Sequence, residues 1–133
     1  MVKAQSEYVI DLIDSFYDTD IGSYILITPY YKHGSFDNFI NQNWSFDELL
    51  LFFYEMAKGL FDLFKNQILH LDLKPENILV KGPGQYVLCD LGCSRKMEGN
   101  MTASKSYNVL KVSCNTKGGG TPDYSSPDMI LDG

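Results

Sequence analysis

Two short apolar runs, Ile78-Leu79-Val80 and Tyr86-Val87-Leu88-Cys89, stand on either side of Lys81-Gly82-Pro83-Gly84-Gln85. Apolar runs around a Gly/Pro turn predict a β-hairpin. A hairpin returns the chain to the edge it left, so the residues before Ile78 must lie beside those after Cys89. Those before are His70-Leu71-Asp72-Leu73-Lys74-Pro75-Glu76-Asn77, and those after are Asp90-Leu91-Gly92. Chemistry-bearing side chains are therefore expected together at one end of a buried element, with Asn77 and Asp90 side by side.

An amide oxygen next to a carboxylate suits a hard divalent cation that keeps some of its waters. Asp72, on the preceding loop, can accept a hydroxyl proton, and the Lys74 ammonium can neutralise charge on a transferred group. Base, cation and metal ligands together are the parts of a phosphoryl-transfer site. Singly they say little. Asp-Leu-Gly is commonly a turn, a lysine commonly a solvated surface residue, and His70 is read as a packed, hydrogen-bonded histidine.

Elsewhere the pattern predicts a strand over Tyr8–Phe16, a turn over Asp18–Gly22, and a second, buried strand over Tyr24–Thr28 ended by Pro29. A short helix through Phe36, Phe39 and Ile40 is expected, with Ser35 as its cap. Ser45 and Glu48 have capping-box spacing. The helix that follows to about Lys65 carries Leu49, Phe52, Phe53, Met56, Leu60, Leu63 and Phe64 at intervals of three and four. Leu50 and Leu51 widen that stripe, so the helix is expected to be mostly buried. Residues 92–120 hold five bases against Glu98 alone and no sustained period, which reads as a long, mobile, basic loop.

The 133 residues fit one domain at most. Seventeen acids against eleven bases give a net charge of −6, the wrong balance for a phosphate-backbone binder, so no nucleic-acid partner is expected. No apolar run reaches the roughly 18 residues of a membrane span, so no membrane partner is expected either. Cys89, Cys93 and Cys114 have no metal-ligand spacing and read as free thiols. With no apolar signal core near Met1, they predict an intracellular, cytoplasmic location.

The ordered set His70-x-Asp72-x-Lys74-x-x-Asn77 followed by Asp90-Leu91-Gly92 resembles the catalytic and metal-binding loops of eukaryotic protein kinases. Gly120-Thr121-Pro122-Asp123-Tyr124-Ser125-Ser126-Pro127-Asp128 resembles the run that closes the family's activation segment. Tyr24 to Tyr31, with Gly34-Ser35-Phe36, resembles the strand and hinge that hold adenine. The resemblance covers about Tyr8 to Asp128. It implies an α+β, partial kinase-like fold truncated at both ends, with the end of the N-lobe sheet and the hinge over about 8–30. The first part of the helical C-lobe would fill 31–133, with the activation segment over 90–128.

The implied function is that of a serine/threonine protein kinase, moving the ATP γ-phosphoryl group to protein Ser or Thr hydroxyls with Mg²⁺. By resemblance, Asp72 is the base, Lys74 contacts the transferred group, and Asn77 and Asp90 hold Mg²⁺. Leu79 lies under adenine, Thr28 is the gatekeeper, the Tyr31 backbone faces adenine, and Ser35 is near the ribose. Thr121 lines the substrate pocket, and Glu76 favours a basic protein substrate on charge grounds. Leu12, His70 and Leu91 fit a stack aligning the two lobes.

The sequence departs from that pattern in places. Leu71 replaces the arginine that anchors a loop phosphate, so Thr102, Ser104, Ser106, Tyr107, Ser113 and Thr116 are candidate phosphosites, none favoured over the others, that lack the usual partner unless Arg95 or Lys96 substitutes. Leu91 replaces phenylalanine, and Ser126-Pro127-Asp128 replaces Ala-Pro-Glu. These residues include no glycine-rich phosphate loop, no Val-Ala-Ile-Lys strand and no paired helix glutamate. A catalytically inactive kinase-like binding module, or a remnant that does not fold alone, is the alternative expectation. Oligomeric state is unreadable.

Overall fold

The computed structural model describes residues 6–97 and 121–125. Its centre is the expected hairpin, made of strands Ile78–Gly82 and Gln85–Leu88. Among the described residues the strands are, in chain order, β1 (Asp14–Asp18), β2 (Ser23–Ile27), β3 (Ile68–Leu69), β4 (Ile78–Gly82), β5 (Gln85–Leu88) and β6 (Arg95–Lys96), and one α-helix, α1, spans Phe46–Lys65. They form three two-stranded antiparallel sheets, β1–β2, β3–β6 and β4–β5. Gly84, at φ +65, makes the tight return between β4 and β5 that a side chain would resist.

Both edges of the β4–β5 hairpin are covered. On the β4 side, Ser35 bridges Leu79 and the Val80 N–H donates to Gly34 O at 2.9 Å. On the β5 side, Val9 bridges Leu88 in parallel, with Leu88 N–H to Tyr8 O at 2.9 Å and Ile10 N–H to Leu88 O at 2.8 Å. Helix α1 lies across the hairpin. The Ser45 hydroxyl accepts from Glu48 N and the Glu48 carboxylate accepts from Ser45 N, closing the capping box. Phe52, Met56, Gly59 and Leu63 form the buried stripe. Phe36 stacks on Phe52 with ring centroids 4.2 Å apart, and Tyr86 meets both rings edge-on. A Cβ on Gly59 would come within 2.9 Å of both Leu88 and the Tyr8 carbonyl, so this glycine is what lets three segments meet.

Five expectations are corrected. The strand expected over Tyr8–Phe16 is confined to Asp14–Asp18, because Val9 pairs with Leu88 instead of with β2. The second strand, expected to be buried, is largely exposed, Tyr24 at 77%, since among the described residues only β1 pairs with it. The turn at Phe36–Phe39 is a short 3₁₀ helix, and Ser35 makes no side-chain cap; its hydroxyl donates to Asp37 instead. Helix α1 buries one stripe only, and Leu50, Leu51, Phe53 and Phe64 face outward. Within the stretch expected to be a loop, Arg95–Lys96 pairs with β3, and Met97 N–H donates to Gln67 O at 2.7 Å. Residues 98–120, with Cys114 and the six loop hydroxyls, and Ser126-Pro127-Asp128 lie outside the described residues.

Candidate active site

The hairpin carries its polar load at one end. Cys89 N–H donates to Asn77 O at 2.9 Å, which makes Asn77 and Cys89 neighbours where β4 begins and β5 ends. One residue on, Asp90 adopts φ +55, ψ +74, a left-handed conformation that Asp tolerates, and its Oδ1 accepts from Gly92 N at 3.1 Å. Leu71 also takes a left-handed backbone, φ +64, which costs a leucine strain.

His70 is buried and holds both ends of this turn together. Asp72 N–H donates to its Nδ1 at 3.3 Å, so the ring proton sits on Nε2, which faces Cys89 O at 2.9 Å. The packed, hydrogen-bonded role expected of His70 is the one observed. Leu91 packs against the core that includes Leu63 and Leu88.

Asp72 is buried, and each of its carboxylate oxygens has partners. Oδ1 accepts from Thr121 Oγ1 at 3.0 Å. Oδ2 accepts from Asn77 Nδ2 at 2.9 Å and lies 3.2 Å from Lys74 Nζ. Asn77 Nδ2 also donates to the Asp72 carbonyl at 2.8 Å. Lys74 Nζ closes the triangle by donating to Thr121 Oγ1 at 2.6 Å. Burial pushes the Asp72 carboxyl up, but hydrogen bonds from Lys74, Thr121 and Asn77 and the lysine charge outweigh it and leave it below its ordinary range. Lys74 is held above its ordinary value by its bond to Asp72, against some desolvation, with the charges of Asp72, Glu76 and Asp90 adding to the effect. The result is an ionised acid with a protonated amine beside it. Cys89 is driven up to about 11 by burial and by the Asp90 charge, so its thiol is inert.

The structure thus brings Asp72, Lys74, Asn77 and Thr121 into one hydrogen-bonded group. Exposed Asp90 stands at the same end of the hairpin, and its charge is felt at Lys74. The two amide protons of Asn77 are committed to Asp72, which leaves its carbonyl oxygen to act as a ligand. An amide oxygen and a carboxylate at the same end of a hairpin are donor types that suit a hard divalent cation. Among the described residues no cluster of three or more His, Cys, Asp or Glu forms a self-sufficient metal site.

Leu79 is half-buried and lies on the opposite face of β4 from buried Ile78 and Val80. Its antiparallel partner Ser35 stands on that same face. Tyr31 O accepts from Gly34 N at 3.1 Å, so the segment from Tyr31 to Ser35 curls against β4. Thr28 is exposed at the end of β2, and Glu76 is exposed beside Lys74. Among the described residues no hydrogen bond or ion pair joins the side chain of Thr28 or Glu76 to Asp72. Sequence reasoning did not single out Glu55, whose carboxylate accepts from Tyr86 N at 2.7 Å and ties α1 to β5. Nor did it single out Asp37, the partner of the Ser35 hydroxyl. An acid beside the buried stripe of a helix was the available signal for Glu55.

A family model described as "Protein kinase domain" matches residues 1–133. The chain belongs to the protein kinase family. Its relatives include the serine/threonine-protein kinase sck1 of Schizosaccharomyces pombe, 34% identical over 80% of this chain and 14% of the relative. The probable serine/threonine-protein kinase MARK-B of Dictyostelium discoideum is 30% identical over 98% of this chain and 17% of that protein. Myosin light chain kinase family member 4 of Homo sapiens is 31% identical over 92% of this chain and 29% of that protein. The chain therefore spans less than a third of the length of each of these kinases. Kinases of this family use ATP and Mg²⁺ and act on protein. Among the described residues no helix is long and apolar enough to cross a membrane.

Proposed function

We propose that this chain carries the phosphoryl-transfer end of a serine/threonine protein kinase site, moving the ATP γ-phosphoryl group to a Ser or Thr hydroxyl of a protein. The single observation that carries the reading is the Asp72 carboxylate, buried, ionised, and hydrogen-bonded to Lys74, Asn77 and Thr121 at once. A base must be anionic and aimed before its substrate arrives, and these bonds supply both conditions.

In this reading Asp72 takes the proton of the incoming hydroxyl. Lys74 lies close enough to stabilise the charge that develops on the transferred group. Asn77 and Asp90 hold Mg²⁺, which neutralises phosphate charge when bound. Asn77 has a second duty, fixing Asp72 through both its carbonyl and its carboxylate. Leu79 offers an apolar floor to the adenine, with Thr28 and the Tyr31 backbone at its rim and Ser35 toward the sugar. Thr121 and Glu76 face the protein substrate, and Glu76 favours one with basic residues.

The test is transfer from Mg·ATP to a basic peptide containing Ser or Thr, with the chain at defined concentration. Asp72→Asn and Asp90→Ala are each expected to lose about a hundredfold or more in rate. Wild-type rates in both variants would refute the assigned roles. Nucleotide binding with no transfer would favour the kinase-like binding module instead.

A further inference from the structure

Glu55, Gly59 and Asp62 follow one another along α1 at intervals of four and three, so they share one face of the helix. Each meets a segment from elsewhere in the chain. The Glu55 carboxylate accepts from Tyr86 N at 2.7 Å, and Gly59 admits the Tyr8 carbonyl. Asp62 Oδ2 accepts from the Ser6 hydroxyl at 2.7 Å, across 56 residues of chain.

Ser6 uses its hydroxyl in both senses. It gives its one proton to Asp62, and its oxygen accepts from Tyr8 N at 3.2 Å. The bond from Ser6 is the main cause that holds the Asp62 carboxyl below its ordinary range, so the acceptor is charged and the contact stronger for it. From Tyr8 the connection continues through backbone. Tyr8 O accepts from Leu88 N at 2.9 Å, and Leu88 O accepts from Ile10 N at 2.8 Å. The next amide along, Cys89 N, donates to Asn77 O at 2.9 Å. Successive residues of the chain are thus bonded, one to residues 8–10 and the other to Asn77, which itself holds Asp72.

We propose that Ser6 and Asp62 are positioning residues for the site. Their bond fixes where residues 8–10 stand on α1, and through Leu88 it keeps the Cys89–Asn77 end of the hairpin in place. They act through Leu88 and not on substrate. The proposal rests on the function argued above for what the site does, and it adds a control point 56 residues away in sequence from the helix residue that answers it.

Amide hydrogen exchange on the whole chain reads the connection, and transfer from Mg·ATP to a basic Ser/Thr peptide reads its effect. Ser6→Ala removes two hydrogen bonds, so the amides of Ile10, Leu88 and Cys89 should exchange about tenfold faster or more, while those of Met56 and Leu63 keep their rates. Ser6→Asp keeps an acceptor for Tyr8 N but sets a like charge against Asp62, and should free the same three amides at least as much. Ser6→Thr retains the hydroxyl and should restore the original rates. In transfer, Ser6→Ala should raise KM for Mg·ATP about threefold or more with kcat nearly kept, because Asp72 retains its own bonds to Lys74, Asn77 and Thr121. Equal acceleration at every amide, α1 included, overturns the inference, since the bond would then add only general stability. Faster exchange at Ile10 and Leu88 with Cys89 unchanged overturns it, as does a Ser6→Asp chain that matches the original. Selective exchange with both kinetic constants unchanged overturns it too. Absence of transfer in the unsubstituted chain refutes the function instead, and exchange at Cys89 then decides the inference by itself.

Discussion

The two longer hairpins of this molecule share a design and differ in fate. Both β1–β2 and β4–β5 are short antiparallel pairs turning on a glycine at φ +65, Gly22 in one and Gly84 in the other. The β4–β5 pair has an extra segment bonded along each edge and a helix across it, and Leu88 is wholly buried. Among the described residues the β1–β2 pair has neither, and Phe16, Tyr17, Tyr24 and Leu26 stand in the open, with the Tyr17 and Tyr24 rings meeting edge-on at 5.0 Å. Strand propensity makes both hairpins, but edge pairing and burial make only one of them rigid enough to aim chemistry. The hydrogen-bonded group around Asp72 lies at the end of the covered one.

The sharpest way to break this contrast is to cut equivalent leucines. Leu88→Ala should cost about 3 kcal/mol in urea or guanidinium unfolding, while Leu26→Ala should change stability by less than about 0.5 kcal/mol. Equal losses would mean that β1–β2 is as firmly held as β4–β5. Next in size is Gly59→Ala. Its methyl meets Leu88 and the Tyr8 carbonyl, and one of those contacts is backbone that cannot swing aside. A loss of about 1–3 kcal/mol is expected, with amide protection falling at Ile10 and Leu88 before it falls in β2.

The smallest effect is on acid stability. Asp72 has a folded pKa below its unfolded value, which is near 3.9. Its contribution is therefore fully present above pH about 4 and fades as pH falls through the lower, folded value. Asp72→Asn should flatten that acid limb of the stability curve. Charge-neutral substitution at exposed Asp20, on the open hairpin, should leave the limb unchanged.

What the sequence revealed followed the range of the interactions involved. The β4–β5 hairpin and the bounds of α1 depend on neighbours in the chain: a Gly/Pro turn between apolar runs, and a Ser–Glu capping box. Both were legible, and so was the meeting of Asn77 with the end of β5 at Cys89, since a hairpin dictates it. Contacts between distant segments were not legible from the pattern. Val9 was read into a strand with its neighbours because nothing local says that its backbone pairs with Leu88, 79 residues on. An apolar run such as Tyr24–Thr28 reads as buried whether or not a partner covers it. Phe36–Phe39 is too short to repay α-helix nucleation, and it settled as a 3₁₀ turn fixed by its ring stacking. Thr121 entered the site by family likeness; its bonds to Asp72 and Lys74 span 49 and 47 residues and left no local mark.

The parallel bridge between Val9 and Leu88 has a mechanical consequence. Tyr8 and Ile10 grip the strand by both of Leu88's backbone groups, and Asp90 follows two residues later. A tug on the chain just ahead of Tyr8 acts as a hand on a short lever whose far tip is that aspartate. Where the leading segment is held decides how steadily the tip is carried.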